Sequence, residues 1–103
     1  MKMNTTLKEE NNYYVMYFDG RLDTAAAPEA DKASLPLLES EDHDIILDCS
    51  KLEYISSSGL RIFLNVLKNV KGKGHQVFIR GINESIQKVF KMTGFYNLFK
   101  VME

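Results

Sequence analysis

Three hydroxyls in a row, Ser56, Ser57 and Ser58, precede Gly59 where an apolar patch ending in Ile55 gives way to another opening at Leu60. Small polar residues there mark a helix start. Backbone N–H groups at that end lack intrahelical partners and carry the positive end of the helix dipole. One serine suffices to cap such an end, and three leave hydroxyls to spare. A spare hydroxyl can accept a phosphoryl group, which would set roughly −1.5 to −2 charges against the orphan donors.

Other chemistry is thinly represented. His43 and His75 fall in polar connections at strand starts and are expected to be solvated loop residues. The chain has no H-E-x-x-H helix, no metal-ligand cluster and no phosphate-cradling G-x-x-x-x-G-K-S/T loop. Ser58-Gly59 is not a nucleophile elbow, because Ser56 stands where that motif needs glycine. Nothing pairs a nucleophile with a base at predictable spacing. No catalytic residue, metal or cofactor is therefore assigned, and a non-enzymatic protein is expected. The lone Cys49 excludes an internal disulfide, fits a reducing compartment and sits in an apolar run as a buried core residue.

With 103 residues, 45% of them hydrophobic and 26% charged, the chain has the composition of a single globular domain spanning 1–103. Thirteen basic against fourteen acidic residues give a formal charge of −1, which argues against direct nucleic-acid binding. Met1-Lys2-Met3-Asn4-Thr5 opens no hydrophobic signal region, and no run approaches ~18 apolar residues. A cytoplasmic protein without membrane insertion is expected.

The elements that must position the serines follow from periodicity and turn signals. Tyr13–Phe18 is rich in aromatic and β-branched types and ends at Asp19-Gly20. Lys2–Lys8 forms a weaker strand before it, with Asn11-Asn12 as the hairpin turn. A helix is expected over Ala25–Leu38, with Pro36 disturbing its last turn or ending it early. Ile45–Cys49 reads as a strand buried on both faces, followed by a short apolar patch of Leu52, Tyr54 and Ile55. From Leu60 to Val70 the period becomes helical and the apolar stripe is wide. Gln76–Arg80 is a further strand. Asn83 caps a short amphipathic helix that Gly94 ends, and Leu98–Met102 forms an edge strand. The order β-β-α-β-α-β-α-β predicts an α/β fold with a mixed four- to five-stranded sheet, flanking helices and right-handed crossovers.

Two segments of this frame resemble the STAS domain, most closely the bacterial anti-sigma factor antagonists. Gly20-Arg21-Leu22-Asp23-Thr24-Ala25 is similar to the family's glycine and aspartate turn after the second strand, with its Thr-Ala step compressed. Ile55-Ser56-Ser57-Ser58-Gly59-Leu60 is similar to its signature of an apolar residue, Asp, Ser, Ser or Thr, Gly and Leu. Met92-Thr93-Gly94-Phe95 matches a downstream Thr-Gly step. The likeness runs from about Thr5 to Met102.

The resemblance implies a partner switch. The unphosphorylated antagonist would bind an anti-sigma factor that is also a serine kinase of the histidine-kinase-like ATPase type, and so free a sigma factor. Phosphorylation would end the complex, and a PP2C-type phosphatase would restore it. Carried onto this chain, the acceptor is Ser57. Ser58 is its neighbour, Gly59 lets the kinase approach, and Asp23 matches the family acid near the partner, with Thr24 beside it. The partner would touch the Gly20–Ala25 and Ser56–Arg61 turns, both at one end of the sheet, and the exposed part of the helix from Leu60.

Two positions depart from the family pattern. Ser56 replaces the aspartate before the acceptor, which removes a carboxylate that could orient the hydroxyl. Arg61 stands where a small residue is common; a cation there opposes the helix dipole but could reach a phosphate on Ser57 or an acid on the partner. The loss of the aspartate also keeps open a phosphorylation-independent STAS subunit of a phospholipid ABC transporter. A nucleotide-binding STAS domain that uses the serine turn as a phosphate cradle is the other alternative.

Overall fold

The computed structural model describes residues 3–102, so Lys2, where the expected first strand opens, lies outside the described residues. Strand β1 (Asn4–Glu10) turns through Asn11 and Asn12 into β2 (Tyr13–Leu22), pairing Glu10 with Tyr13. Both asparagines have positive φ, 48° and 71°, as the tight two-residue hairpin turn requires. The remaining strands are β3 (Asp44–Ile55), β4 (Val77–Arg80) and β5 (Lys100–Met102). Their order in the sheet is β1-β2-β3-β4-β5; the first pair is antiparallel and the rest are parallel. The expected mixed sheet is present, with five strands.

The expected Ala25–Leu38 helix is two helices, α1 (Ala27–Ala33) and α2 (Leu35–Glu39), parted at Ser34. Each carries its proline in the first turn, where the missing N–H costs nothing. Pro36 cannot continue α1, because its ring would clash with the preceding turn, so the chain restarts. The serine turn opens α3 (Ser57–Gly72), one turn earlier than the apolar stripe suggested. Helix α4 (Glu84–Thr93) is capped by Asn83, whose side chain accepts from the Ile86 N–H at 2.8 Å, and ends at Gly94 with φ +80°. A 3-10 turn over Phe95–Asn97 occupies the approach to β5, which shortens the expected Leu98–Met102 strand.

All four helices feed one apolar cluster on one face of the sheet. It takes Met16 and Phe18 from β2, Leu47 and Cys49 from β3, and Ile79 from β4. Phe63 of α3 is its aromatic centre, with ring centroids 5.0 Å from Phe18, 6.0 Å from Phe90 and 6.3 Å from Phe99. Cys49 is fully buried, and desolvation pushes its thiol far above the usual range, so it stays protonated.

The other face of the sheet is closed by its own side chains. Across β3 the rings of Tyr13 and Phe78 meet edge-on at 5.9 Å, and Val15 and Ile46 are buried. Beside them Asp48 is buried and accepts from Arg80 Nε at 2.8 Å and from the Ser50 N–H at 3.0 Å. Arg80 also donates to the Tyr17 hydroxyl at 3.1 Å, and that hydroxyl donates to Glu10.

The histidines are not simply solvated. Both are half-buried where strand starts converge. His43 lies between Ser40 Oγ at 2.9 Å and Glu9 at 2.6 Å; His75 lies between Asp44 at 3.1 Å and the Glu41 carbonyl at 2.7 Å. Among the described residues no group of three or more His, Cys, Asp or Glu could hold a metal ion, and no helix is long and apolar enough to cross a membrane.

Candidate functional site

Parallel pairing brings the carboxyl ends of β2 and β3 together, with Leu22 opposite Ile55. The Ser56 N–H donates to the Leu22 carbonyl at 2.8 Å, which fixes the start of α3 against the Asp23 turn. Reaching this point takes 12 residues of β3 against 10 of β2. The difference is two irregularities in the register, each adding one residue to β3, between Tyr17 and Asp19 and between Gly20 and Arg21. Bulges re-aim side chains. Here they change the spacing of inward residues to Cys49, Leu52 and Ile55, every third position, and leave Glu53 and Tyr54 exposed.

Ser56 is the capping residue of α3. Its backbone is extended (φ −88°, ψ 172°), its side chain accepts from the Gly59 N–H at 3.2 Å, and it is only 8% exposed. Aspartate and serine cap comparably well, so the departure from the family pattern preserves the helix start. Ser56→Ala should cost about 1 kcal/mol of stability, read as a lower urea midpoint at unchanged slope.

Ser57, the next residue, is exposed, and Ser58 is half-buried. The hydroxyl that holds the helix and the hydroxyl that faces solvent thus belong to different residues. Gly59 faces inward. A β-carbon there would lie 2.7 Å from Leu22 Cγ and 2.8 Å from Ile55 Cγ1, so glycine serves the approach of α3 to the sheet and not, as expected, that of a visitor. Of the residues expected to meet a partner, Ser56 and Gly59 are buried, whereas Thr24, Ser57 and Arg61 are exposed.

Asp23 is half-buried; its carboxylate accepts from the Ala26 N–H at 2.9 Å, and its carbonyl from the Ala27 N–H at 3.0 Å. It orders the turn into α1. Between α1 and α3 runs a groove of about 310 Å³ lined by Thr24, Pro28, Asp31, Ser58, Arg61 and Asn65, among others. Sequence reasoning missed one pair at this end of the sheet. Arg21 lies opposite Tyr54 in the register, with its guanidinium 4.4 Å from the ring centroid, and Tyr54 is 41% exposed. An exposed aromatic under an arginine is a common interface anchor. Its signal, a tyrosine between Glu53 and Ile55, was hidden by an apolar patch that strict alternation cannot parse.

The family model for the STAS domain matches residues 4–103. The chain belongs to the STAS domain family. An anti-sigma-B factor antagonist of Staphylococcus epidermidis is 27% identical over 103 residues, covering 100% of this chain and 95% of the relative. Among solved STAS structures, a putative anti-sigma factor antagonist from Thermotoga maritima superposes with a TM-score of 0.86 at 21% identity, covering 96% of this chain and 86% of that one. The Bacillus cell-fate determinant SpoIIAA in its phosphorylated form gives 0.73 at 17% identity, covering 97% of this chain and 92% of that one. The two superpositions establish the STAS fold.

Proposed function

We propose that this STAS domain is an anti-sigma factor antagonist, a cytoplasmic binding module controlled by phosphorylation of Ser57. The observation that carries this reading is the division between a buried cap, Ser56, and an exposed hydroxyl, Ser57, at the mouth of α3. The names of the similar proteins support it. The partner is an anti-sigma factor serine kinase. It docks over Asp23, Thr24, Ser58 and Arg61, and the Arg21–Tyr54 pair extends the contact. The kinase passes the γ-phosphoryl group of ATP to Ser57 Oγ, releasing ADP and the hydroxyl proton. The new charge stands in the contact surface and parts the complex; a PP2C-type phosphatase removes it.

Ser57→Ala should keep the fold and the partner but fail to release it on addition of ATP. Ser57→Asp should bind at least about tenfold more weakly, since a carboxylate is left desolvated at the interface. Intact-mass measurement after mixing with the kinase and ATP should show one added phosphate in the parent and none in Ser57→Ala. Equal affinities for the two variants in calorimetry, or phosphate that persists in Ser57→Ala, would overturn the assignment.

A further inference from the structure

The formal charge of −1 conceals a segregated chain. Residues 1–55 hold twelve acids against five bases, a formal −7; residues 56–103 hold eight bases against two acids, a formal +6. Strand order in the sheet repeats the order along the chain. The acidic β1 and β2 therefore lie at one edge of the sheet and β5 at the other, and the two halves of the chain meet where Lys73 donates to the Ser40 carbonyl at 2.8 Å and His75 lies 2.7 Å from the Glu41 carbonyl. The acidic flank carries β1, β2 and α1, the basic flank carries α4 and β5, and the carboxyl-terminal ends of α2 and α3 meet between them.

On the basic flank and the adjoining end of α3, Lys68, Lys71, Lys88, Lys91 and Lys100 are all exposed, and none forms an ion pair among the described residues. Lys71 and Lys100 line one groove with Leu98. Lys91 lies 5.3 Å from the ring centroid of Tyr96 in the adjoining 3-10 turn. Large apolar side chains stand among them: Met92 is 86% exposed and Leu98 47%. Apart from Glu103, the one carboxylate of this half is Glu84.

We propose that this flank seats the protein peripherally on an anionic lipid bilayer. Lysines around protruding methionine and leucine are what a charged lipid interface takes up: the ammoniums meet headgroups and the apolar tips enter the acyl boundary. A phosphate backbone is the poorer fit. The arginine forks that would grip it are elsewhere, Arg80 on Asp48 and Arg61 on the groove beside α1, and the Tyr96 ring lies under Lys91. The acidic flank of a second copy is also a poorer fit, because both carboxylates of β1 are engaged within the fold: Glu9 with His43 and Glu10 with Arg80. Docking by α4 and β5 turns β1 and β2, at the far edge of the sheet, away from the membrane. The Ser57 turn, at the carboxyl ends of β2 and β3, stays open, so the proposal stands apart from the partner switch.

The test is co-sedimentation of the full chain with phosphatidylcholine vesicles, with and without about a third phosphatidylglycerol. Binding is expected on the anionic vesicles alone and should fade as salt rises. The Lys71→Glu/Lys91→Glu/Lys100→Glu variant should lose more than about tenfold in partitioning. Met92→Ser/Leu98→Ser should weaken binding at every salt concentration, and Lys8→Glu/Lys32→Glu on the opposite flank should leave it unchanged. Far-ultraviolet circular dichroism checks that each variant is folded. No sedimentation with anionic vesicles at low salt, equal binding to neutral vesicles, or equal losses from the two flanks would overturn the proposal. So would tighter binding to duplex DNA than to vesicles, or vesicle-free self-association that the lysine reversals abolish.

Discussion

Arg80→Met should lower the stability of the fold by about 3 kcal/mol at neutral pH. Removing one member of a buried ion pair leaves the other charge uncompensated, at a cost of about 3–5 kcal/mol when both are fully desolvated. Asp48 has a side chain only 7% exposed, but Arg80 is 27% exposed, which places the loss at the lower end. In the parent, burial raises the Asp48 pKa, but the hydrogen bonds from Ser50 and the bond and charge of Arg80 outweigh it and hold the carboxyl below its ordinary 3.8. A carboxyl depressed in the folded state adds stability that is complete above 3.8 and drains as pH falls through the lower folded value. In Arg80→Met the part of the depression that Arg80 supplies is lost while the Ser50 hydrogen bonds remain, so the carboxyl protonates at a higher pH than in the parent, and protonation relieves a buried charge. The gap between parent and variant should therefore be widest near pH 7 and should narrow below about pH 4. Urea titrations across that range measure it. A constant gap from pH 7 to pH 3 would assign the loss to packing alone.

Gly59→Ala should also destabilise the fold, by about 2 kcal/mol, although alanine is the better helix former. Helix propensity favours the substitution by about 1 kcal/mol. Against it stand two atoms of Leu22 and one of Ile55, all within 2.9 Å of the new carbon. Both side chains are buried, so one of them must shift within the core to admit it. Overpacking of this kind costs roughly 1–3 kcal/mol in a well-packed core, and three contacts below 3.0 Å place it at the top of that range. Truncating the obstacle supplies a second readout: Leu22→Ala combined with Gly59→Ala should cost less than the two single losses together. Additive losses, or a Gly59→Ala protein more stable than the parent, would show that α3 does not need this close approach.

Much of the architecture was legible because local signals agreed with one another. Asn11-Asn12, Asn83 and Gly94 each sit at the boundary their chemistry favours. The alternation of strands with helical periods gave the layer arrangement. What escaped reading depends on neighbours distant in sequence. The two bulges of β3 arise from its pairing with β2, so the outward direction of Tyr54 had no local signature. The same holds for the Asp48–Arg80 pair, joined across 32 positions. At the serine turn, residue types announced a capped helix start but not which serine caps it. That followed only once the Leu22 carbonyl took the Ser56 N–H and set where the helix begins. Gly59 was read as leaving room for a visitor because its internal neighbour, Leu22, lies on a different strand.

The sequential strand order bears on how the chain assembles. After β1, no strand waits for a later one before its first pairing can form, since each bonds to its predecessor. The β1–β2 hairpin can close in roughly 1–10 μs, whereas synthesis adds only about 5–20 residues each second. A nascent chain can thus lay down the sheet edge to edge as it emerges, with every crossover helix arriving just ahead of the strand it delivers. The last arrival, β5, is also the shortest, so an incomplete chain leaves the least pairing unmade.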